Sequence, residues 1–286
     1  MKRILLCTDG STFSQNSYQY AAWLASRLQA SIEVLHVSDV RSQKVVSKDY
    51  SSSLGFDASR TLLNRLVELE HEKAKINNQR AKLILETARQ FFAEQGISEV
   101  KLTNHIGFLV DSFQEFEAQA DLIMMGKRGE NAEFASGHLG ANVERVLRST
   151  KKPCFVTSRK YQPINRILLA DDGSKSCQRA IEFLVNTPAF KGLELHVLSV
   201  AKKLNDEAAQ ASLKATQHQL VPGGFTPVCQ LLQGEPEQVI TNYMETQKIN
   251  LLIMGAYGHS RIRRLVIGST TLHILRNTHV PVLVFR

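Results

Sequence analysis

The residues best able to do chemistry lie near the end of the chain. Gly255-Ala256-Tyr257-Gly258 is followed, nine residues later, by Gly268-Ser269-Thr270-Thr271. Glycines let the main chain approach a ligand closely. The second cluster opens a helical pattern, and a helix start presents unpaired N–H groups and a partial positive charge that suit phosphate. Ser269 and Thr270 add hydroxyl donors, while His259, Arg261, Arg263 and Arg264 surround the loop with positive or protonatable groups. The pattern reads as a phosphate cradle. It is neither a P-loop, which needs Gly-Lys-Ser/Thr, nor the dinucleotide fingerprint Gly-x-Gly-x-x-Gly.

The elements that must position this loop are announced by a repeat. Arg3-Ile4-Leu5-Leu6-Cys7-Thr8-Asp9-Gly10-Ser11 recurs as Arg166-Ile167-Leu168-Leu169-Ala170-Asp171-Asp172-Gly173-Ser174, at an offset of 163. Leu122–Gly126 recurs as Leu251–Gly255 at 129, and Val146-Leu147-Arg148 as Ile274-Leu275-Arg276 at 128. A repeat of this kind marks a duplicated supersecondary unit. Each half alternates apolar strand runs with helical periodicity, the pattern of a parallel sheet covered on both faces. The expected fold is α/β: two tandem open five-stranded parallel-sheet sandwiches related by a pseudo-two-fold axis. The expected domains are residues 1–160, with a helical insert at about 41–95, and residues 161–286. The doubled pattern resembles that of tandem members of the universal stress protein family, which implies a fused dimer whose closing strands, Cys154–Ser158 and Val282–Phe285, meet about the pseudo-two-fold axis; antiparallel pairing there would cover two sheet edges. Within the insert, Leu62, Leu66, Leu69, Ile76 and Leu83 fall on one stripe, but Lys73 and Arg80 interrupt it. That stripe fits a helix lying over its own sheet better than a dimer seam, although a homodimer through it stays open.

In open α/β sheets ligands bind beyond the carboxyl ends of the strands, so Asp9, Val37, Asp172 and Val200 flank the two loops. Gly255-x2-Gly258-x9-Gly268-Ser269 resembles the ATP-binding signature of the universal stress protein family, and both halves outside the insert resemble it in organisation. The resemblance implies an adenine nucleotide α-hydrolase-like fold that binds ATP or ADP. Asp172 and Val200 would frame adenine and ribose; Gly255, Gly258, His259, Gly268, Ser269 and Thr270 would take the phosphates. Mg²⁺ bridging phosphate oxygens is compatible with this, although no protein ligand set for a metal is readable. The first half keeps Asp9, Val37, Gly126, Gly129 and Gly140, but ten residues separate Gly129 from Gly140, Ala141 replaces the serine, and Glu130 and Glu133 add negative charge. It should bind nucleotide weakly or not at all.

The implied function is a nucleotide-binding stress-response protein whose occupancy alters a surface for an unidentified protein partner. The alternatives are a nucleotide-independent scaffold and a weak ATPase; no nucleophile–base pair can be assembled, so no catalytic residue is assigned. The 286 residues carry a formal net charge of +8, with 22 basic and 18 acidic residues in 1–160 and 13 and 9 in 161–286. An excess so evenly spread makes no basic tail, and nucleic acid is not expected as a partner. No apolar run reaches the roughly 20 residues of a membrane span. Cys7, Cys154, Cys177 and Cys229 lack metal or disulfide spacing. A cytoplasmic location is expected.

Overall fold

The computed structural model describes residues 1–39, 56–129, 139–256 and 267–286. Its strands are β1 (Arg3–Thr8), β2 (Ser31–Asp39), β3 (Val100–Gly107), β4 (Leu122–Gly126), β5 (Cys154–Thr157), β6 (Arg166–Ala170), β7 (Glu194–Ala201), β8 (Val228–Gln233), β9 (Leu251–Gly255) and β10 (Val282–Phe285). The helices are α1 (Thr12–Leu28), α2 (Phe56–Glu94), α3 (Leu109–Glu117), α4 (Ala141–Ser149), α5 (Lys175–Asn186), α6 (Glu207–Leu220), α7 (Pro236–Thr246) and α8 (Ser269–Asn277).

All ten strands form one sheet in the order β3-β2-β1-β4-β5-β10-β9-β6-β7-β8. The order is its own mirror when β1 is matched with β6, β2 with β7 and so on, which is the expected pseudo-two-fold. Every pairing is parallel except the central one, where Val282, Leu283 and Val284 lie antiparallel to Val156, Phe155 and Cys154. The mostly parallel α/β fold is therefore the expected one, and the two five-stranded halves are fused edge to edge.

Alternation along the central strands supplies both faces of the core. Ile4, Leu6, Ile167 and Leu169 point to the side covered by α1, α2, α5 and α6, among Tyr18, Phe92, Leu184 and Leu220. Leu5, Cys7, Leu168 and Ala170 point to the side covered by α3, α4, α7 and α8, among Phe113, Val146, Ile240 and Leu275. Both layers are buried, which is why these strands are continuously apolar rather than alternating.

Helix α2 departs from expectation. At 1.5 Å per residue its 39 residues span roughly 58 Å, yet among its described side chains, from residue 62 onward, only Ala81, Leu85, Ala88 and Phe92 are buried. Leu62, Leu63, Val67, Leu69, Ile76 and Leu83 are 41–69% exposed. The apolar stripe thus does not lie on the sheet; the surface that does runs through two alanines, and such a narrow, small-residue face leaves little periodic signal. The last turns of α2 occupy the place of α6. Leu85, Ala88 and Phe92 match Leu213, Thr216 and Leu220, and Ile97 N–H bonds Phe92 C=O as Phe225 N–H bonds Leu220 C=O. The additional length extends this shared helix at its N-terminal end.

Candidate functional site

The two glycine loops leave the sheet at equivalent points, the carboxyl ends of β4 and β9. Each is closed at its base by one main-chain hydrogen bond: Gly140 N–H to Lys127 C=O at 3.1 Å, and Gly268 N–H to Ala256 C=O at 2.9 Å. The loop ends and the start of the following helix are thereby fixed together. Gly255 is required sterically, since a β-carbon there would lie 2.8 Å from Ser176 Cβ in the first turn of α5. Gly258 and His259, together with Arg261, Arg263 and Arg264, fall outside the described residues, as do Glu130 and Glu133 of the first loop.

Three helix starts, those of α1, α5 and α6, are closed by side chains, while α7 has Glu235 as its cap residue without such a bond and Pro236 in its first turn. Ser11, Ser174 and Asp206 accept from the main-chain N–H groups of Ser14, Cys177 and Ala209, satisfying donors that a helix cannot pair internally. At α4 and α8 the cap residues are Gly140 and Gly268, which make no such bond. Both glycine-loop helices therefore begin with main-chain donors that no cap side chain covers. Ser269 sits exposed on the first turn of α8. Thr270 Oγ1 donates to Glu237 Oε1 at 3.1 Å and Thr271 Oγ1 to Gly255 C=O at 3.1 Å. Of the two hydroxyls expected to serve a phosphate, Thr270's is engaged by a carboxylate in this structure.

Asp9 and Asp172 lie just beyond the first strand of their halves and play matching local roles. Oδ1 of each accepts the N–H of the serine two residues on, Ser11 and Ser174, both at 3.0 Å, an Asx turn that aims the chain into α1 and α5. Asp172 is exposed and Asp9 half-buried. In the first half the space beside this carboxylate is filled: a β-carbon on Gly129 would stand 2.6 Å from Asp9 Oδ2. Val37 and Val200, close to the ends of β2 and β7, are half-buried on the side of the sheet that carries α3, α4, α7 and α8.

Two acidic residues near the second loop were not singled out from sequence. Asp171 is buried and accepts from Thr216 Oγ1 at 2.7 Å and Gly173 N–H at 3.0 Å, with Cys177 Sγ at 3.2 Å. It ties the turn to α5 and α6, as Thr8 does in the first half through Ser14, Tyr18 and Gly10. Beside an identical neighbour in Asp171-Asp172, sequence gives no sign of which carboxylate turns inward. Glu237, on α7, comes to α8 only through tertiary packing.

His196 lies between Tyr243 Oη (2.8 Å from Nδ1) and Glu194 Oε1 (2.9 Å from Nε2), a structural bridge from the sheet to α7. Among the described residues no group of three His, Cys, Asp or Glu side chains could hold a metal ion, and no helix is long and apolar enough to cross a membrane. Burial pushes the Cys7 thiol up to about 12 and raises those of Cys154 and Cys177 as well, so these thiols are not poised as nucleophiles.

Comparison with known proteins agrees with this architecture. A model of the universal stress protein family matches residues 1–158 and again 163–286. A universal stress protein of Synechocystis, Slr1230, is 50% identical over 287 aligned residues, covering all of both chains. The crystal structure of a universal stress protein from Archaeoglobus fulgidus aligns over 99% of this chain and 98% of its own, with a TM-score of 0.73 and 23% identity. A universal stress protein structure from Pseudomonas aeruginosa covers 100% of this chain and 93% of its own, with a TM-score of 0.63 and 16% identity. With two successive matches to the family model, a full-length relative at half identity and the doubled sheet described above, this chain belongs to the universal stress protein family.

Proposed function

We propose that the protein is a cytoplasmic stress-response protein that binds ATP or ADP, chiefly in its second half. Bound nucleotide changes the surface it offers to a protein partner. One observation carries this reading: a glycine loop pinned at its base by the Gly268–Ala256 hydrogen bond delivers the uncapped start of α8, with Ser269 exposed on it, to the carboxyl edge of the sheet. Main-chain N–H groups and a helix start favour a multiply charged phosphate. Gly255, Gly258, His259, Gly268, Ser269 and Thr270 would hold the phosphates, and Asp172 and Val200 the nucleoside. Glu237 and Thr270 place two hard oxygens beside this turn. A single carboxylate suits Mg²⁺ held mainly by phosphate oxygens and water. The first-half site (Asp9, Val37, Gly126, Gly129, Gly140) would be weaker, because Gly129 is packed onto Asp9 and Ala141 offers no hydroxyl.

The reading is tested by titrating purified protein with ADP and ATP calorimetrically and by mass spectrometry of small molecules released on denaturation. One tight adenine-nucleotide site per chain is expected; no saturable binding at millimolar nucleotide would refute it. A second reading, association without nucleotide, is favoured by the exposed face of α2. There Leu62, Leu69 and Ile76 recur every seven residues, matching a helix that pairs with a second copy of the chain.

A further inference from the structure

The two halves also enclose a pocket of about 120 Å³, lined by Phe13, Lys127, Arg128, Ser158 and Arg159 from the first half and Arg276, Thr278 and His279 from the second. It lies on the side of the first glycine loop that faces the second half. Its described lining carries four Lys or Arg side chains and one imidazole, and no carboxylate. We propose that this junction is a binding site for a small phosphorylated anion, held by Lys127, Arg128, Arg159 and His279 and contributed to by both halves.

Three observations support the assignment. First, the cations are held in place. Lys127 Nζ donates to Thr278 C=O at 2.7 Å across the junction, and the Arg159 guanidinium lies over the Phe13 ring at 5.3 Å. Arg276 is engaged with Glu144 only at 3.8 Å. Second, the cluster is more than the fold requires. A cation near the last carbonyls of a helix offsets its negative end, and Lys127 and Arg276 supply that for α8; Arg128, Arg159 and His279 are in excess of it. Third, the duplication provides an internal control. At the equivalent place across the pseudo-two-fold, Ala256 stands for Lys127. There the Arg286 guanidinium satisfies the end of α4 by donating to the carbonyls of Arg148, Ser149 and Thr150 at 2.8, 3.3 and 3.2 Å. The repeat also places Arg148 and Lys151 where the pocket has Arg276 and His279, so the two sides share part of their basic character and differ at Lys127, for which the other side has only the methyl group of Ala256. Burial and the adjacent Arg128 also push the Lys127 ammonium down to about 8. A bound anion facing Lys127, with Arg128, Arg159, Arg276 and His279 around it, would restore the charge.

The proposal is independent of nucleotide binding in the second half, and its test separates the two. Pyrophosphate is titrated calorimetrically into the full chain carrying Ser269→Ala, which weakens the proposed nucleotide site, and into the same protein with Arg159→Gln or His279→Gln added. Thermal melting checks that each variant is folded. Saturable pyrophosphate binding is expected, weakened at least tenfold by each added substitution, although they lie in different halves, and several-fold weaker at pH 9 than at pH 7. ADP and adenosine as competitors identify the source. Displacement of pyrophosphate by ADP but not adenosine points to the phosphates of a nucleotide, and no displacement by either to a free phosphate. Absence of saturable pyrophosphate binding up to 10 mM overturns the proposal, as does binding that neither added substitution alters.

Discussion

Ser269→Ala isolates the phosphate-binding argument. Ser269 is exposed on the first turn of α8 and caps nothing, so its hydroxyl can be removed with little effect on the fold; surface changes of this kind usually stay within about 0.5 kcal/mol. A hydrogen bond to a charged group contributes about 1.5–3 kcal/mol, which is roughly one to two decades in Kd. The same loss is visible in stability. Ligand at 100 times Kd stabilises by about 2.7 kcal/mol, and after a thirtyfold loss of affinity the same concentration gives only about 0.9 kcal/mol. The nucleotide-induced rise in Tm should therefore shrink by several degrees while the melting of ligand-free protein stays put. Thr270→Ala is the built-in comparison: its hydroxyl is bonded to Glu237 at 3.1 Å, so its removal should weaken ADP less than removal of Ser269. Calorimetry and melting curves with Mg-ADP read both. An affinity for Ser269→Ala within twofold of the parent protein would refute the reasoning.

Other consequences are equally direct. Asp171→Ala strands the Thr216 hydroxyl and the Gly173 N–H in a buried turn and should cost about 2–4 kcal/mol in urea unfolding, whereas exposed Asp172→Ala should cost under about 1 kcal/mol. Gly10→Ala forces a side chain into φ +79°, with its β-carbon 2.5 Å from Ile84 Cγ1, while Gly173→Ala meets only Ser212 Oγ at 3.2 Å. The first should destabilise by about 2 kcal/mol or more, and by a clear margin over the second. In thiol labelling of native protein at pH 8, half-buried Cys229 should react first, and Cys7, Cys154 and Cys177 only after unfolding; equal rates would contradict their burial. Leu69→Gln with Ile76→Gln should shift any dimer to monomer in sedimentation velocity with little change in Tm, because both side chains are exposed within the chain.

The parts of the structure readable from sequence were those with local causes. The run Arg166–Ala170 before Asp171-Asp172-Gly173-Ser174 specifies a buried strand, an Asx turn and a helix cap within nine residues, and the copy at Arg3–Ser11 repeats the message. The antiparallel meeting of β5 and β10 followed from the resemblance to a fused dimer, and it covers two equivalent sheet edges. What escaped notice depends on three-dimensional packing. The buried face of α2 runs through Ala81 and Ala88, whose small side chains register weakly beside the leucines that in fact face water. Glu237 reaches Thr270 across 33 residues of sequence. The pocket beside Lys127 unites residues separated by about half the chain, and no local pattern links Arg159 with His279.

The single antiparallel strand pair in the sheet, β5 against β10, has a mechanical consequence. Every other neighbour in the sheet runs the same way, so the two halves share one uninterrupted hydrogen-bonded ribbon with no hinge at its middle. Severing the chain in the 159–165 connector would leave each piece with an unsaturated apolar rim, Cys154-Phe155-Val156-Thr157 or Val282-Leu283-Val284-Phe285, whose antiparallel complement is another copy of itself. Fragments made there would re-mate or precipitate rather than persist as separate bodies, and the halves form one continuous ribbon, not two loosely tethered lobes.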